Sequence, residues 1–419
     1  MATKHSQNSL WAFIAWATAA LFYAYHQIII SAIALMPEIL MNKYSITMYQ
    51  YGLISIFYTI AYAIMMIPVG IMLDNYALKK IMTLALLIFS AACAVLAFTT
   101  SYKIILVTRF IMGGAASFSV LGSFKLAAEW FSANWFASLA GATVSLGYFG
   151  SILGNRPFLN LLQTYNYEQI FLALSFFGLG LSLISLIFIS NFNDIQEKKL
   201  KFSDVYSQLK LVLQNRLSMV LIFYGMLVFA PLLVFKDSLG ILFFTNYYGY
   251  SKTVACHMMS TTLFASIIGA PLLGAISDRM QRRRPVLILT PIIILITLVL
   301  MMLNINTGNE FFNQVITTAL TFSFGFMTWG FLLCYTVFKE INPPHILSIG
   351  LGLMNSINMI GGILSVPFIT YLIDKLPEHY PLMQNSELYF YAFLILPIII
   401  LMSFPLLKDI PETGCRQVE

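Results

Sequence analysis

The feature that most constrains this chain is a succession of apolar runs, each long enough to cross a bilayer, parted by short polar breaks. An α-helix needs about 20 apolar residues to span the hydrocarbon layer, and there it satisfies its own backbone hydrogen bonds. The runs fall at 10–35, 50–73, 78–99, 102–131, 133–158, 167–190, 217–246, 251–277, 285–304, 310–340, 345–374 and 386–407. They predict an all-α membrane protein of twelve transmembrane helices. Composition agrees, since only 10% of residues are charged against about a quarter in soluble domains. Met1 to Ser9 form a short polar leader without a small-residue cleavage site, so the first run reads as a retained helix and not a signal peptide.

Basic residues set the expected topology. Lys79, Lys80, Lys198, Lys199, Lys201, Lys210, Arg216, Arg279, Arg282, Arg283, Arg284 and Lys408 fall on one side, against Lys43, Lys103, Lys252 and Lys375 on the other. The positive-inside rule places the richer side, and with it both termini, in the cytoplasm. The net charge of +6 then reports orientation, and nucleic acid is not an expected partner. The longest break, 191–216, carries an amphipathic stretch from Phe202 to Leu213 and divides the chain. Expected parts are an N-terminal bundle (1–190), a central linker (191–216), a C-terminal bundle (217–407) and a tail (408–419). Cys93, Cys256, Cys334 and Cys415 show no paired spacing, so neither a disulfide framework nor a metal site is expected. With no Gly-rich phosphate loop and no nucleophile–base set, the sequence predicts neither an ATPase, a cofactor nor an enzyme.

An internal repeat carries more information. After the second run the chain reads Gly70-Ile-Met-Leu-Asp74-Asn75-Tyr-Ala77-Leu-Lys79-Lys80, and after the eighth Gly274-Ala-Ile-Ser-Asp278-Arg279-Met-Gln-Arg282-Arg283-Arg284. The offset is constant, 274 − 70 = 278 − 74 = 204. Gly and Asp four apart share a helix face, so the Gly is expected to admit a neighbouring helix while the Asp ends the span beside basic residues.

These two loops resemble the signature of the major facilitator superfamily, a G-x-x-x-D-R-x-G-R-K-like element between the second and third span of each half. The first copy departs from it at Asn75, where Arg is usual, and Ala77, where Gly is usual. Arg109-Phe-Ile-Met-Gly113-Gly114 is similar to the family's R-x-x-x-G element, with Glu129 near the inner end of that span and Glu340 in the matching place of the second half. The resemblance covers the whole chain. It implies two pseudo-symmetric six-helix bundles, a monomer, alternating access, and a small-molecule site near the bilayer midplane. It also implies gating pairs, with Glu129 serving Lys79 or Lys80 and Glu340 serving Arg279 or Arg282. Gly122-Ser-Phe-Lys125-Leu-Ala-Ala-Glu129-Trp130-Phe131, Phe338-Lys339-Glu340-Ile-Asn342-Pro343-Pro344 and Gly352-Leu-Met-Asn355 resemble nutrient transporters of intracellular bacteria, which implies a bacterial inner membrane. The fifth run lacks the Gly-Pro element of drug/proton antiporters, which points away from multidrug export.

Charge deep in a bilayer is expensive, so intramembrane ionisable residues are the first candidates for function. They are Arg109, Lys125, Arg156, Lys236, Asp237 and the titratable His26. Lys236 and Asp237 interrupt the seventh run between Pro231 and Gly240; adjacent helix residues point about 100° apart, so each is expected to need another partner. Tyr23, Gln27 and Ser31 form a polar stripe beside His26, and Asn355 and Asn358 form another in the second half. Basic groups outnumber acids among these, which suits a substrate bearing a carboxylate. Asp237 or His26 is the candidate for proton coupling. Two readings stay open: import of a small polar nutrient, and carriage of a polycarboxylate such as a siderophore by uniport or exchange.

Overall fold

The computed structural model describes residues 10–131, 133–189, 202–343 and 346–414, with the side chains of 74, 75, 133, 134, 136, 137, 202–206 and 348 also outside the description. The leader, the part of the expected linker before Phe202, Cys415 and the side chain of Asp74 therefore lie outside the described residues. Among the described residues the secondary structure is helical throughout.

The first eight helices are α1 (Leu10–Leu35), α2 (Pro37–Tyr44), α3 (Met48–Asn75), α4 (Leu78–Phe98), α5 (Tyr102–Trp130), α6 (Ala133–Leu153), α7 (Arg156–Thr164) and α8 (Tyr167–Phe188). After α9 (Phe202–Gln214) come α10 (Arg216–Val234), a π-turn (Phe235–Leu239), α11 (Gly240–Asn246), α12 (Lys252–Met280), α13 (Arg284–Leu303) and α14 (Glu310–Thr328). A 3₁₀ turn (Trp329–Leu332) leads into α15 (Leu333–Ile341), followed by α16 (Leu347–His379), α17 (Asn385–Phe393) and α18 (Ile395–Leu401). Eleven helical stretches of the described residues are long and apolar enough to cross a membrane. The remaining expected run, 133–158, is broken at Gly154-Asn155 into α6 and α7.

Helix starts follow local chemistry. The Asn215 side chain accepts from the N–H groups of Leu217 and Ser218 at 3.0 and 3.3 Å, and Asn309 does the same for Phe311 and Phe312. Asn166 and Gln169 form a reciprocal capping box at α8. Such caps satisfy backbone donors that the helix itself leaves open.

The chain forms two compact units. One comprises the described residues up to Ala32 together with those from Phe57 to the central break; the other comprises Ile33–Ile56 and everything described from Phe202 onward. Helices α1 and α3 each run from one unit into the other. In the first unit α4 packs on α8 and α5; in the second α12 packs on α14 and α10 on α16. Glycine makes the tightest approaches possible. A Cβ on Gly113 of α5 would lie 2.0 Å from the Tyr58 carbonyl oxygen of α3, and one on Gly325 of α14 would lie 2.2 Å from that of Thr262 on α12. Gly113→Ala therefore forces α5 away from α3, an overpacking of about 1–3 kcal/mol. It should lower the midpoint of thermal unfolding in detergent by several degrees, whereas Gly70→Ala should leave it unchanged. Gly70 and Gly274 have open space where a Cβ would stand, so the close approach expected of them is not made. The end of α12 around Gly274 is instead exposed at Leu272, Ile276 and Met280.

Candidate functional site

In the first unit, α1, α3 and α5 bring a polar cluster into an apolar interior. Arg109 is 1% exposed, and its guanidinium lies over the Tyr58 ring, 4.4 Å from the centroid. A desolvated cation on an aromatic face is worth about 2 kcal/mol. The Tyr58 hydroxyl is hydrogen-bonded to His26 Nδ1 at 2.9 Å. The His26 ring also contacts Tyr23 and Tyr62, with centroids 4.9 and 6.0 Å away. Gln27 donates to the Tyr23 hydroxyl at 3.2 Å and accepts from Ser151 Oγ at 3.5 Å. Tyr23 and Gln27 of the expected stripe thus join His26 and Arg109 in one neighbourhood, while Ser31 is buried against Gly154. Tyr58, Tyr62 and Ser151 belong to it as well, and nothing in the sequence singled them out. Arg156 does not belong: it is exposed at the first turn of α7. Lys125 has a structural task, donating to the Leu73 carbonyl in the last turn of α3 at 2.6 Å, with Glu129 3.4 Å away. Positive charge there matches the helix dipole.

In the second unit, Lys236 and Asp237 sit in the π-turn between α10 and α11. Lys236 Nζ lies 2.5 Å from Asp237 Oδ1, with both side chains largely buried. The expectation that they cannot meet side by side is corrected. It assumed α-helical phase, and the π-turn replaces that phase at these residues. Farther along α10, Asn358 of α16 stands beside Gly225, where a Cβ would be 2.9 Å from Asn358 Oδ1. Asn358 Nδ2 donates to the Tyr335 hydroxyl at 2.9 Å, which donates in turn to Asn355 Oδ1 at 3.3 Å. Phe331 meets the Tyr335 ring edge-on at 6.0 Å and itself packs against Phe229 and Trp329. An apolar groove of about 550 Å³ between α12 and α14, lined by Thr261, Phe311, Gln314, Val315 and Thr318, holds no ionisable group and is not a candidate.

The second repeat loop forms a tight network. Arg283 donates through Nε and Nη2 to Glu340 Oε1 at 3.2 and 2.9 Å, and through Nη1 to Ser277 Oγ and the Asp278 carboxylate. Glu340 therefore pairs with Arg283, not with the expected Arg279 or Arg282, because Arg283 is buried at the start of α13 while the other two are exposed. In the first loop Glu129 lies 3.4 Å from Lys125, one turn earlier on its own helix. The tail closes the second network: Thr413 Oγ1 donates to Glu340 Oε2, and Glu412 accepts from the N–H groups of Arg283 and Arg284 at 2.8 and 3.0 Å.

Partial burial alone would raise the Glu412 pKa, but those donors, the Gly414 N–H and the charge of Arg282 outweigh it and hold the carboxyl below its ordinary value of 4.5. A depressed folded pKa stabilises docking above the ordinary value, and that contribution is lost as pH falls through the depressed one. The tail should thus resist carboxypeptidase at pH 7 and yield to an acid-active carboxypeptidase below the glutamate range. Glu412→Gln should already yield at pH 7.

The sequence profile described as Major Facilitator Superfamily matches residues 11–366 and 237–414. The chain belongs to the major facilitator superfamily. Major facilitator proteins are multi-pass membrane transporters, so this one is a secondary transporter of small organic substrates, with the major facilitator fold that the repeat implied. It is 24% identical to the probable galactarate/D-glucarate transporter GudP of Escherichia coli (strain K12) over 349 residues, covering 75% of this chain and 76% of GudP. It is 22% identical to the uncharacterized transporter YybO of Bacillus subtilis (strain 168) over 143 residues, a match that spans only 34% of this chain and 33% of YybO. In fold it is similar to a D-xylose-proton symporter, with a TM-score of 0.76, 14% identity and coverage of 97% of this chain and 99% of that one. A crystal structure of the nucleoside transporter NupG gives a TM-score of 0.75 at 13% identity, covering 95% of this major facilitator protein and all of that chain.

Proposed function

We infer that this protein imports a small carboxylate-bearing nutrient, an amino acid or a small organic acid, across a bacterial inner membrane by alternating access. Arg109 carries the inference. A guanidinium held almost without solvent over the Tyr58 ring is suited to a carboxylate, which it can meet with two parallel hydrogen bonds. His26 and Gln27 on α1, in the same unit as Arg109, would orient the substrate's hydroxyl or amino groups. The likeness to a probable galactarate/D-glucarate transporter supports an organic acid. Both termini face the cytoplasm in this reading, which the basic loops support, and the protein works as a monomer.

Proton coupling would run through the Lys236–Asp237 pair or His26. A protonated Asp237 releases Lys236, and a protonated His26 can only donate to the Tyr58 hydroxyl. The second reading, uniport or exchange of a polycarboxylate such as a siderophore, is favoured by the same pair, since two mutually neutralised charges leave Arg109 as the anion-binding group.

The test is uptake into proteoliposomes of amino acids, nucleosides, di- and tricarboxylates and a carboxylate siderophore, with and without an inward proton gradient. Gradient-driven accumulation of an amino acid or small acid supports import. Equilibration that ignores the gradient supports the second reading, and uptake of nucleosides alone contradicts both.

A further inference from the structure

The π-turn that holds Lys236 and Asp237 is tied to the start of α3 by one side chain. Tyr51 is fully buried, and its hydroxyl lies 3.2 Å from the Ile33 carbonyl oxygen at the end of α1 and 3.4 Å from that of Ser238 in the π-turn. A tyrosine hydroxyl has a single proton, so it cannot serve both carbonyls fully at once. Ile33 has a second donor, the Met36 N–H at 3.1 Å. The π-turn is a local irregularity ready to change: Leu239 departs from helical backbone at φ −115° and ψ −3°, and the buried Ser238 hydroxyl has no partner among the described residues. π-turns of this kind hold one residue in excess of α-helical phase and are frequent at functional sites.

The same turn of α3 is clamped onto α16. The Asp374 carboxylate accepts from the N–H groups of Met48 and Tyr49 at 3.1 and 2.7 Å, a charge placed at the positive end of the helix. Gly52 lets Thr370 approach so closely that a Cβ would lie 2.6 Å from its Oγ1. Tyr58, the tyrosine beneath Arg109, lies seven residues after Tyr51 on α3, and its partner His26 lies seven residues before Ile33 on α1. Two tyrosine bridges a heptad apart therefore join α1 to α3, one at the π-turn and one at the arginine.

We propose that Tyr51 is a positioning residue that couples the state of the Lys236–Asp237 pair to the hold of α16 on the first turn of α3. While the pair is intact, the π-turn presents the Ser238 carbonyl to Tyr51, and α3 is held by Tyr51 and Asp374 together. When substrate or a proton separates the pair, the π-turn relaxes, the hydroxyl turns wholly to Ile33, and the contacts of Asp374 and Thr370 hold α3 on α16 without Tyr51. This rests on the transport reading for its purpose, but the coupling can be measured without a substrate.

The experiment is a double-mutant cycle read by thiol labelling. Thr370→Cys is introduced with Cys415→Ser, the protein is placed in lipid nanodiscs, and the rate of reaction with a water-soluble maleimide is measured. Four backgrounds are compared: parent, Asp237→Asn, Tyr51→Phe and the two combined. Tyr51→Phe keeps the ring and removes only the hydroxyl, so a packing role predicts no change. The coupling predicts that each single change raises the labelling rate about fivefold, the population shift produced by losing one ordinary buried hydrogen bond. It also predicts that the combination adds nothing further, because both act through one link. If Asp237→Asn does not yield a monodisperse protein, Lys236→Met with Asp237→Asn takes its place. Unchanged labelling in Tyr51→Phe, or rates that multiply in the combination, overturns the proposal. Failure of the parent to take up any solute would remove the transport reading and leave the cycle standing.

Discussion

Arg109→Lys keeps a positive charge at the centre of the first unit, yet it should lower uptake of a carboxylate substrate by about a hundredfold, and Arg109→Ala should abolish it. The guanidinium lies over the Tyr58 ring, 4.4 Å from its centroid, and is a planar group that can offer a fork of donors. An ammonium has neither the plane nor the fork. Hydrogen bonds to a charged group are worth about 1.5–3 kcal/mol each, so losing one or two of them accounts for two orders of magnitude. Stability should respond far less. A cation buried to 1% exposure inside a membrane helix is costly to hold, so its removal relieves one penalty while it forfeits the contact with Tyr58. Thermal unfolding of Arg109→Ala within a few degrees of the parent, with uptake absent, separates a binding residue from a structural one. Parallel loss of both would mean that Arg109 only holds α5 in place.

Asp237→Asn should end gradient-driven accumulation and destabilise the fold. With the carboxylate gone, Lys236 keeps its charge in a site where its side chain is 6% exposed, and removing one partner of a buried pair costs about 3–5 kcal/mol. The double substitution Lys236→Met with Asp237→Asn takes away both charges, and it should regain most of the lost thermal stability. It should not regain accumulation, because no titratable group remains in the π-turn. Flux along the substrate's own gradient should persist in the double variant if the pair serves coupling and not binding. Recovery of accumulation along with stability would show that the pair is structural and leave His26 as the coupling candidate.

The membrane helices were legible because the bilayer sets their length, and runs of about 20 apolar residues leave little ambiguity. The repeat was legible for a different reason: Gly274 and Asp278 stand 204 positions after Gly70 and Asp74, and a coincidence of that order needs no structure to notice. What escaped was whatever depends on phase. Lys236 and Asp237 looked unable to meet because an α-helix was assumed, and neither Pro231 nor Gly240 announces a π-turn. Three consecutive arginines, 282 to 284, gave no means of telling which turns inward. Burial at the α13 start selects Arg283, and the tail residues Glu412 and Thr413 then complete its network. Tyr51 and Tyr58 were hidden among 22 tyrosines. A tyrosine in an apolar run carries no signal until its hydroxyl is seen to find an acceptor.

The measurement closest to the central claim is counterflow. Purified protein is reconstituted into liposomes loaded in turn with a hexarate, a dicarboxylate, an amino acid, a nucleoside or a neutral sugar, and entry of the same labelled solute is followed. Transient accumulation of a carboxylate-bearing solute is expected in the parent and none in Arg109→Ala. Counterflow of the nucleoside or the sugar alone, undiminished in Arg109→Ala, would contradict that claim.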